Sequence, residues 1–179
     1  MLLVDFQIRE EIRQGNLKIT PFKDENINPS SLDVRLGGSF AVVKPTTIIV
    51  DPTDTLSFRT VVEDLNKYVL NPGELVLGVL QEHISLPPNI SASLRGKSSL
   101  GRLGLDNSSF AGWIDAGFAG ELVIELANHS KNPILLTKGM KIGQLTFYKH
   151  VNAEVPYGLK TNSKYQDQKG VQGSKGVDK

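Results

Sequence analysis

The run GKSSLGRLGL, from Gly96 to Leu105, gathers three glycines, two serines, a lysine and an arginine into ten residues. Ser98 and Ser99 offer hydroxyls, and Gly96 and Gly101 let backbone N–H groups approach an anion closely. Lys97 and Arg102 add charge, and the Arg102 fork suits a pair of oxygens. Phosphate is the natural guest. The order matches neither GxxxxGK[ST] nor GxGxxG, so neither common nucleotide loop is present. A polar turn entering a short helix would explain the same residues without a ligand.

A second stretch, AGWIDAGFAGELVIELAN, runs from Ala111 to Asn128. Asp115 precedes Ala116-Gly117, a tight-turn signal, and aspartate commonly caps such turns. Glu125 lies inside an apolar strand, on the face opposite Leu122, Ile124 and Leu126. Either that face is solvated, or the carboxylate points into a pocket or subunit interface where desolvation raises its pKa.

Other chemistries are excluded. The 179 residues contain no cysteine, so disulfides, thiol catalysis and thiolate-held zinc are ruled out. His83, His129 and His150 are far apart and make neither HExxH nor HxE spacing. The net charge of +1 argues against a nucleic-acid partner. Asp5 interrupts the apolar start, and no run nears the roughly 18 apolar residues of a membrane helix. A cytoplasmic protein with no membrane partner is expected.

The elements that must position these residues are mostly strands. Asp5 to Gly15 reads as a short helix, capped by Asp5, with Ile8 and Ile12 on one face. Beyond it, period-two runs recur: Leu32, Val34 and Leu36; Ile90, Ala92 and Leu94; Leu122, Ile124 and Leu126. Turn signals stand between them at Asn71-Pro72-Gly73, Pro87-Pro88-Asn89 and Lys138-Gly139. In GMKIGQLTF the apolar parity flips at Gly143, which predicts a bulge. The pattern argues for a mainly all-β sandwich, jelly roll or distorted barrel. Residues 1–155 form the predicted domain. The last 24 residues, from Pro156, are polar, with five lysines against two aspartates. They read as a disordered tail or as a mobile arm closing over an anion.

The blocks SSLDVRLG, GKSSLGRLGL, AGWIDAGFAGELVIELAN, GMKIGQLTF and SKYQDQKG, in that order, resemble the dCTP deaminase branch of the dUTPase superfamily. The resemblance covers the chain from about Ile8 to Gly173. It implies a distorted jelly-roll β-barrel and a homotrimer with active sites between subunits. It assigns Lys97, Ser98, Ser99, Leu100, Gly101 and Arg102 to a deoxynucleotide triphosphate, and Asp115 to the 3′-hydroxyl. Ala111 falls in the nucleotide site, and Val123 and Ile124 line the base through their backbone. Glu125 matches the catalytic glutamate, aided by Ser98, Arg102 and Asp115. Gln144, Tyr157, Lys164 and Gln168 match further nucleotide contacts, the last three from the C-terminal arm.

The resemblance further implies magnesium carried by the triphosphate and no protein-held metal. Zinc deaminases use an HxE…PCxxC signature, which a chain without cysteine cannot build. A buried general base, Glu125, must then activate water. AGWIDAGF and Gln144 look closest to members that also cleave the triphosphate to leave dUMP. A plain dUTPase is the alternative, although dUTPases usually carry an apolar residue at position 125. A non-catalytic nucleotide-sensing relative is a third reading. Two departures stand out. Lys97 replaces a common arginine, and Ser108-Ser109-Phe110-Ala111 replaces a His-x-Thr-Ala run. Phe110 is either tolerated by repacking or changes base preference, changes inhibition by dTTP, or abolishes deamination.

Overall fold

Asp5–Arg13 forms helix α1 of the computed structural model, which describes residues 1–43, 49–54, 60–107 and 111–177. Ile8 is fully buried and Ile12 packs beside it. The cap differs from expectation. Val4 is the N-cap residue, and its N–H donates to the Gln7 side chain at 3.1 Å. Asp5 sits one position later, in the first turn, where its charge opposes the positive end of the helix dipole. The helix ends as expected. The Gly15 N–H donates to Ile12 O and the Asn16 N–H to Glu11 O, each at 3.0 Å, a paired closure that satisfies the last carbonyls.

The described residues form twelve strands. These are β1 (Lys18–Thr20), β2 (Ile27–Asn28), β3 (Ser31–Val43), β4 (Thr60–Asp64), β5 (Lys67–Leu70) and β6 (Leu75–Ser85). Then come β7 (Ile90–Gly96), the one-turn helix α2 (Ser98–Gly101), β8 (Leu105–Asp106), β9 (Trp113–Ile114), β10 (Ala119–Asn128), β11 (Ile134–Thr137) and β12 (Lys141–Lys149). Ten strands join one sheet in the order β8-β10-β6-β3-β12-β7-β9, with β1 beside β6 and β2 and β4 beside β3. Strands β5 and β11 pair separately. The large sheet curls into the half-barrel of a distorted jelly roll, as the sequence pattern implied.

Strand β3 makes the curl. Its first half pairs with β12, its second half with β6 and β4. The register slips between Leu36 and Phe40, so the strand changes partners at Gly37-Gly38. Only glycine fits there: a Cβ on Gly37 would lie 2.9 Å from the Val79 carbonyl oxygen. A second slip lies between Lys141, opposite Arg35, and Gly143, opposite Val34. This is the bulge that the parity flip implied. It lets Ile142 on one parity and Leu145 and Phe147 on the other all reach the core, each fully buried.

The alternating residues pack as expected. Leu32, Val34 and Leu36, Ile90, Ala92 and Leu94, and Ile124 and Leu126 are all buried; Leu122 is only partly so. The polar arm does not stand away. Its residues 166–170 run beside the start of β10, and Val171 is buried against Ala41 and Val79 on the outer face of the sheet. Among the described residues no helix is long and apolar enough to cross a membrane.

Gly37→Ala should destabilise the fold by about 1–3 kcal/mol, because the corner backbone must shift to admit a methyl group. A thermal melt should show a drop of roughly 2–4 °C per kcal/mol. Gly101→Ala, whose Cβ meets nothing within 4 Å, should not lower the melting temperature. Equal melting of both variants with the parent would show that the corner is not packed this way.

Candidate functional site

Strand β10 has two unlike faces. Ile124 and Leu126 enter the core, while Val123 and Glu125 face outward. Across from them, β9 and the following turn bring Ile114, Asp115 and Phe118, and β6 brings Leu77 directly opposite Glu125 in the ladder. These residues, with Ala111, Trp113 and Leu122, wall a largely apolar cavity of about 520 Å³. The turn is the tight one expected: the Phe118 N–H donates to Asp115 O at 3.2 Å, and Gly117 has φ +86°. Gly117 also admits the root of the arm, since a Cβ there would lie 2.5 Å from Pro156 Cβ.

The arm closes another side with Tyr157, Tyr165, Gln168 and the segment Gln172, Gly173 and Ser174. The Tyr157 ring packs on Phe118 at 5.9 Å between centroids. Its hydroxyl accepts the Tyr165 N–H at 3.1 Å, and its own N–H donates to Ala116 O at 2.8 Å. The Trp113 indole N–H donates to Asp115 Oδ1 at 3.0 Å, which orients an otherwise exposed carboxylate.

Glu125 is half-buried in this wall. Burial pushes its pKa up, and a hydrogen bond from its own backbone N–H offsets only part of that. The strand around it has a free edge. One edge of β10 pairs with β6; the other meets the arm at 119–121 and β8 at 127–128. Among the described residues no strand pairs with that second edge at 122–126. The alternation that turns the Glu121 N–H toward Gln168 turns those of Val123 and Glu125 the same way. A planar, hydrogen-bonding ligand can therefore be read by backbone groups beside a carboxylate.

The cavity thus brings together Ala111, Asp115, Val123, Glu125, Tyr157 and Gln168. The side chain of Ile124 turns into the core. The anion loop lies elsewhere. Ser98, Ser99, Gly101 and Arg102 stand exposed on α2, Leu100 packs toward the core, and none of them lines the cavity. Helix α2 follows β7 and leads into β8, which pairs with the far end of β10 at Ala127 and Asn128, away from Glu125. Lys97 is already engaged: its Nζ lies 2.6 Å from Asp33 Oδ1. Asp33 is buried, and Lys141 Nζ holds its other oxygen at 3.0 Å. Burial raises the pKa of Asp33, but Lys97, Lys141 and Asn28 overcome this and hold it below the usual carboxylate range.

Gln144 Oε1 accepts from the Ser31 hydroxyl at 3.0 Å, and Lys164 Nζ donates to Gly176 O at 3.0 Å. Ser108, Ser109 and Phe110 lie outside the described residues. The sequence did not single out Leu77, Trp113, Phe118 or Gln172 as lining. Trp113 and Phe118 sit inside the AGWIDAGF motif, which was a signal. Leu77 had none, because only the β6–β10 register puts it opposite Glu125.

Residues 2–150 match the family model described as dCTP deaminase-like. The chain belongs to that family. Among curated dCTP deaminase-like relatives, the protein named "dCTP deaminase, dUMP-forming" from Methanosphaerula palustris is 44% identical over 94% of this chain and 92% of its own length. One of the same name from Rhodococcus erythropolis is 48% identical over 98% of this chain and 96% of its own length. The crystal structure of 2′-deoxycytidine 5′-triphosphate deaminase from Agrobacterium tumefaciens superposes with TM-score 0.63 at 27% identity, over 82% of this chain. This chain spans only 47% of that one. A dUTPase from phage phi11 of S. aureus, 16% identical, has TM-score 0.52 over 77% of this chain and 93% of its own, a likeness of fold.

The raised pKa of Glu125 makes a thermodynamic prediction for this member of the family. Its ionisation is harder in the folded than in the unfolded chain, so the stability it contributes is complete below the unfolded value, about 4.3. That stability is lost as pH rises through the folded value. Glu125→Gln removes the loss. Without nucleotide, the variant should melt above the parent at pH 7–8, and the gap should close near pH 4. A gap independent of pH would mean that burial does not perturb Glu125.

Proposed function

We propose that this protein deaminates dCTP hydrolytically without zinc and cleaves the triphosphate, consuming two waters and releasing dUMP, ammonia and diphosphate. The observation that carries the reading is Glu125. It is a half-buried carboxylate with a raised pKa, in an apolar wall, beside a free strand edge. A general base poised toward neutral pH is what water addition to cytosine requires. The names and high coverage of the curated relatives support the same substrate.

In this reading the cytosine edge lies along the Val123–Glu125 backbone. Glu125 takes a proton from water as its oxygen bonds to C4, delivers that proton to N3, and passes the next one to the amino group, which leaves as ammonia. Asp115 receives the deoxyribose 3′-hydroxyl. Ser98 and Arg102 stabilise the tetrahedral adduct. Ser99, Leu100, Gly101, Lys97 and Gln144 hold the triphosphate chain, and Tyr157, Lys164 and Gln168 belong to the closing arm. A second water then displaces diphosphate in line from the α-phosphorus, a step that depends on positioning and charge neutralisation.

Magnesium bound to the triphosphate would neutralise its charge. Among the described residues no three His, Cys, Asp or Glu side chains cluster as a cage, whereas the hydroxyls and cations of α2 suit phosphate oxygens. That no residue of α2 lines the cavity supports a homotrimer in which each subunit lends its α2 to a neighbour's cavity. Phe110 favours a second reading, cleavage of dUTP alone, because phenylalanine stands where the family resemblance implies a small threonine.

Incubation with dCTP should yield dUMP, ammonia and diphosphate with little free dUTP. Glu125→Gln should lower ammonia release by about 10²–10⁴-fold while dCTP still binds. Inert dCTP with cleaved dUTP would replace this reading with the second one, and Phe110→Thr should then restore ammonia release. Accumulating dUTP would remove the diphosphate step. EDTA should slow turnover, magnesium should restore it, and zinc should not; a stoichiometric tightly bound zinc would overturn the metal assignment.

A further inference from the structure

Residues 166–170 extend the free edge of β10. The Asp167 N–H donates to Ala119 O at 2.8 Å, the Glu121 N–H donates to Gln168 O at 2.9 Å, and Gly120 and Gln168 form a parallel bridge. Side chains reinforce the backbone. Gln168 Nε2 donates to Glu121 O at 2.9 Å, and Glu121 Oε2 accepts the Gly170 N–H at 2.7 Å. Just beyond, Val171 is buried, and Gln172, Gly173 and Ser174 reach the cavity rim. Glu121 itself lines no part of that cavity.

We propose that Glu121 is the latch that holds the arm over the cavity, a positioning residue that does not touch the nucleotide. Its carboxylate takes the Gly170 N–H, two residues before the rim segment, and a charged acceptor makes that bond stronger than a neutral one. Glu121 also shares the outward parity of Val123 and Glu125 on β10. The strand that carries the carboxylate for water activation therefore carries the hook for the segment that covers it. Release of the hook frees the rim without altering Glu125. The consequence for turnover rests on the deaminase reading; the latch itself does not.

The Lys169–Gly170 peptide bond contains the latched N–H, and Lys169 is exposed, so trypsin reports the latch directly. Glu121→Ala should speed cleavage at that bond about tenfold, the loss expected for one hydrogen bond to a charged group. Glu121→Gln should cleave at a rate between the two, because a carboxamide oxygen still accepts but without the charge. With dCTP, Glu121→Ala should raise KM about tenfold and change kcat less, and Glu121→Gln should restore part of that rise. Equal cleavage of wild type and Glu121→Ala, or Glu121→Gln cleaved as fast as Glu121→Ala, would overturn the latch. Cleavage spreading through residues 1–155 would mark Glu121 as a residue of the fold and overturn it too. If dCTP is no substrate, the KM comparison fails with the proposed function, while cleavage at Lys169–Gly170 still decides the latch.

Discussion

The pairing of β10 with β6 along one edge, and its partial pairing along the other, is the constraint on which the site depends. A strand buried on both edges would offer a ligand only side chains. Here the second edge is filled by the arm at one end and by β8 at the other, and the backbone between them is open. The same strand must also keep Ile124 and Leu126 in the core. A one-residue slip would exchange the faces, burying Glu125 and exposing leucine and isoleucine. The register with β6 prevents this, and β6 is itself fixed by β3 at the Gly37-Gly38 corner.

Four ion pairs on three buried carboxylates tie the remaining elements to this frame. Arg35 Nε meets Glu82 at 2.7 Å, Lys97 and Lys141 share Asp33, and Lys149 meets Glu11 of α1. Removing one partner of such a pair leaves an uncompensated charge and typically costs about 3–5 kcal/mol. The Asp33 group gives Lys97 a structural partner. Lys97 and Lys141 each give one oxygen of Asp33 an ammonium partner. The pair sits immediately before α2, so it anchors the start of the Gly96–Leu105 loop to β3 and β12.

The arm resolves a tension in composition. Its residues are mostly polar, which argues against a packed role, yet backbone pairing does not require apolar side chains. An open strand edge accepts any chain that can align its N–H and C=O groups. Val171 then adds one apolar contact, and Tyr157 adds ring packing on Phe118. An arm held this way contributes little to the core while covering the cavity.

Alternation is a local property, and it was legible without coordinates. Period-two spacing placed Leu32, Val34, Leu36, Ile90, Ala92 and Leu94 inside and turned Glu125 away from Ile124 and Leu126. The parity flip located the Gly143 bulge, and Asp115-Ala116-Gly117 marked its turn. Each follows from a few consecutive residues and the geometry of the pleat. The cap of α1 was misread because Gln7 reaches back to Val4, a competition between two side chains that sequence order alone does not rank. Tertiary structure alone decided that Leu77 faces Glu125, that Asp33 captures Lys97, and that residues 166–170 lie along β10. Each of these joins segments dozens of residues apart. Their meeting is set by strand register and loop closure across the whole chain, which no short stretch contains.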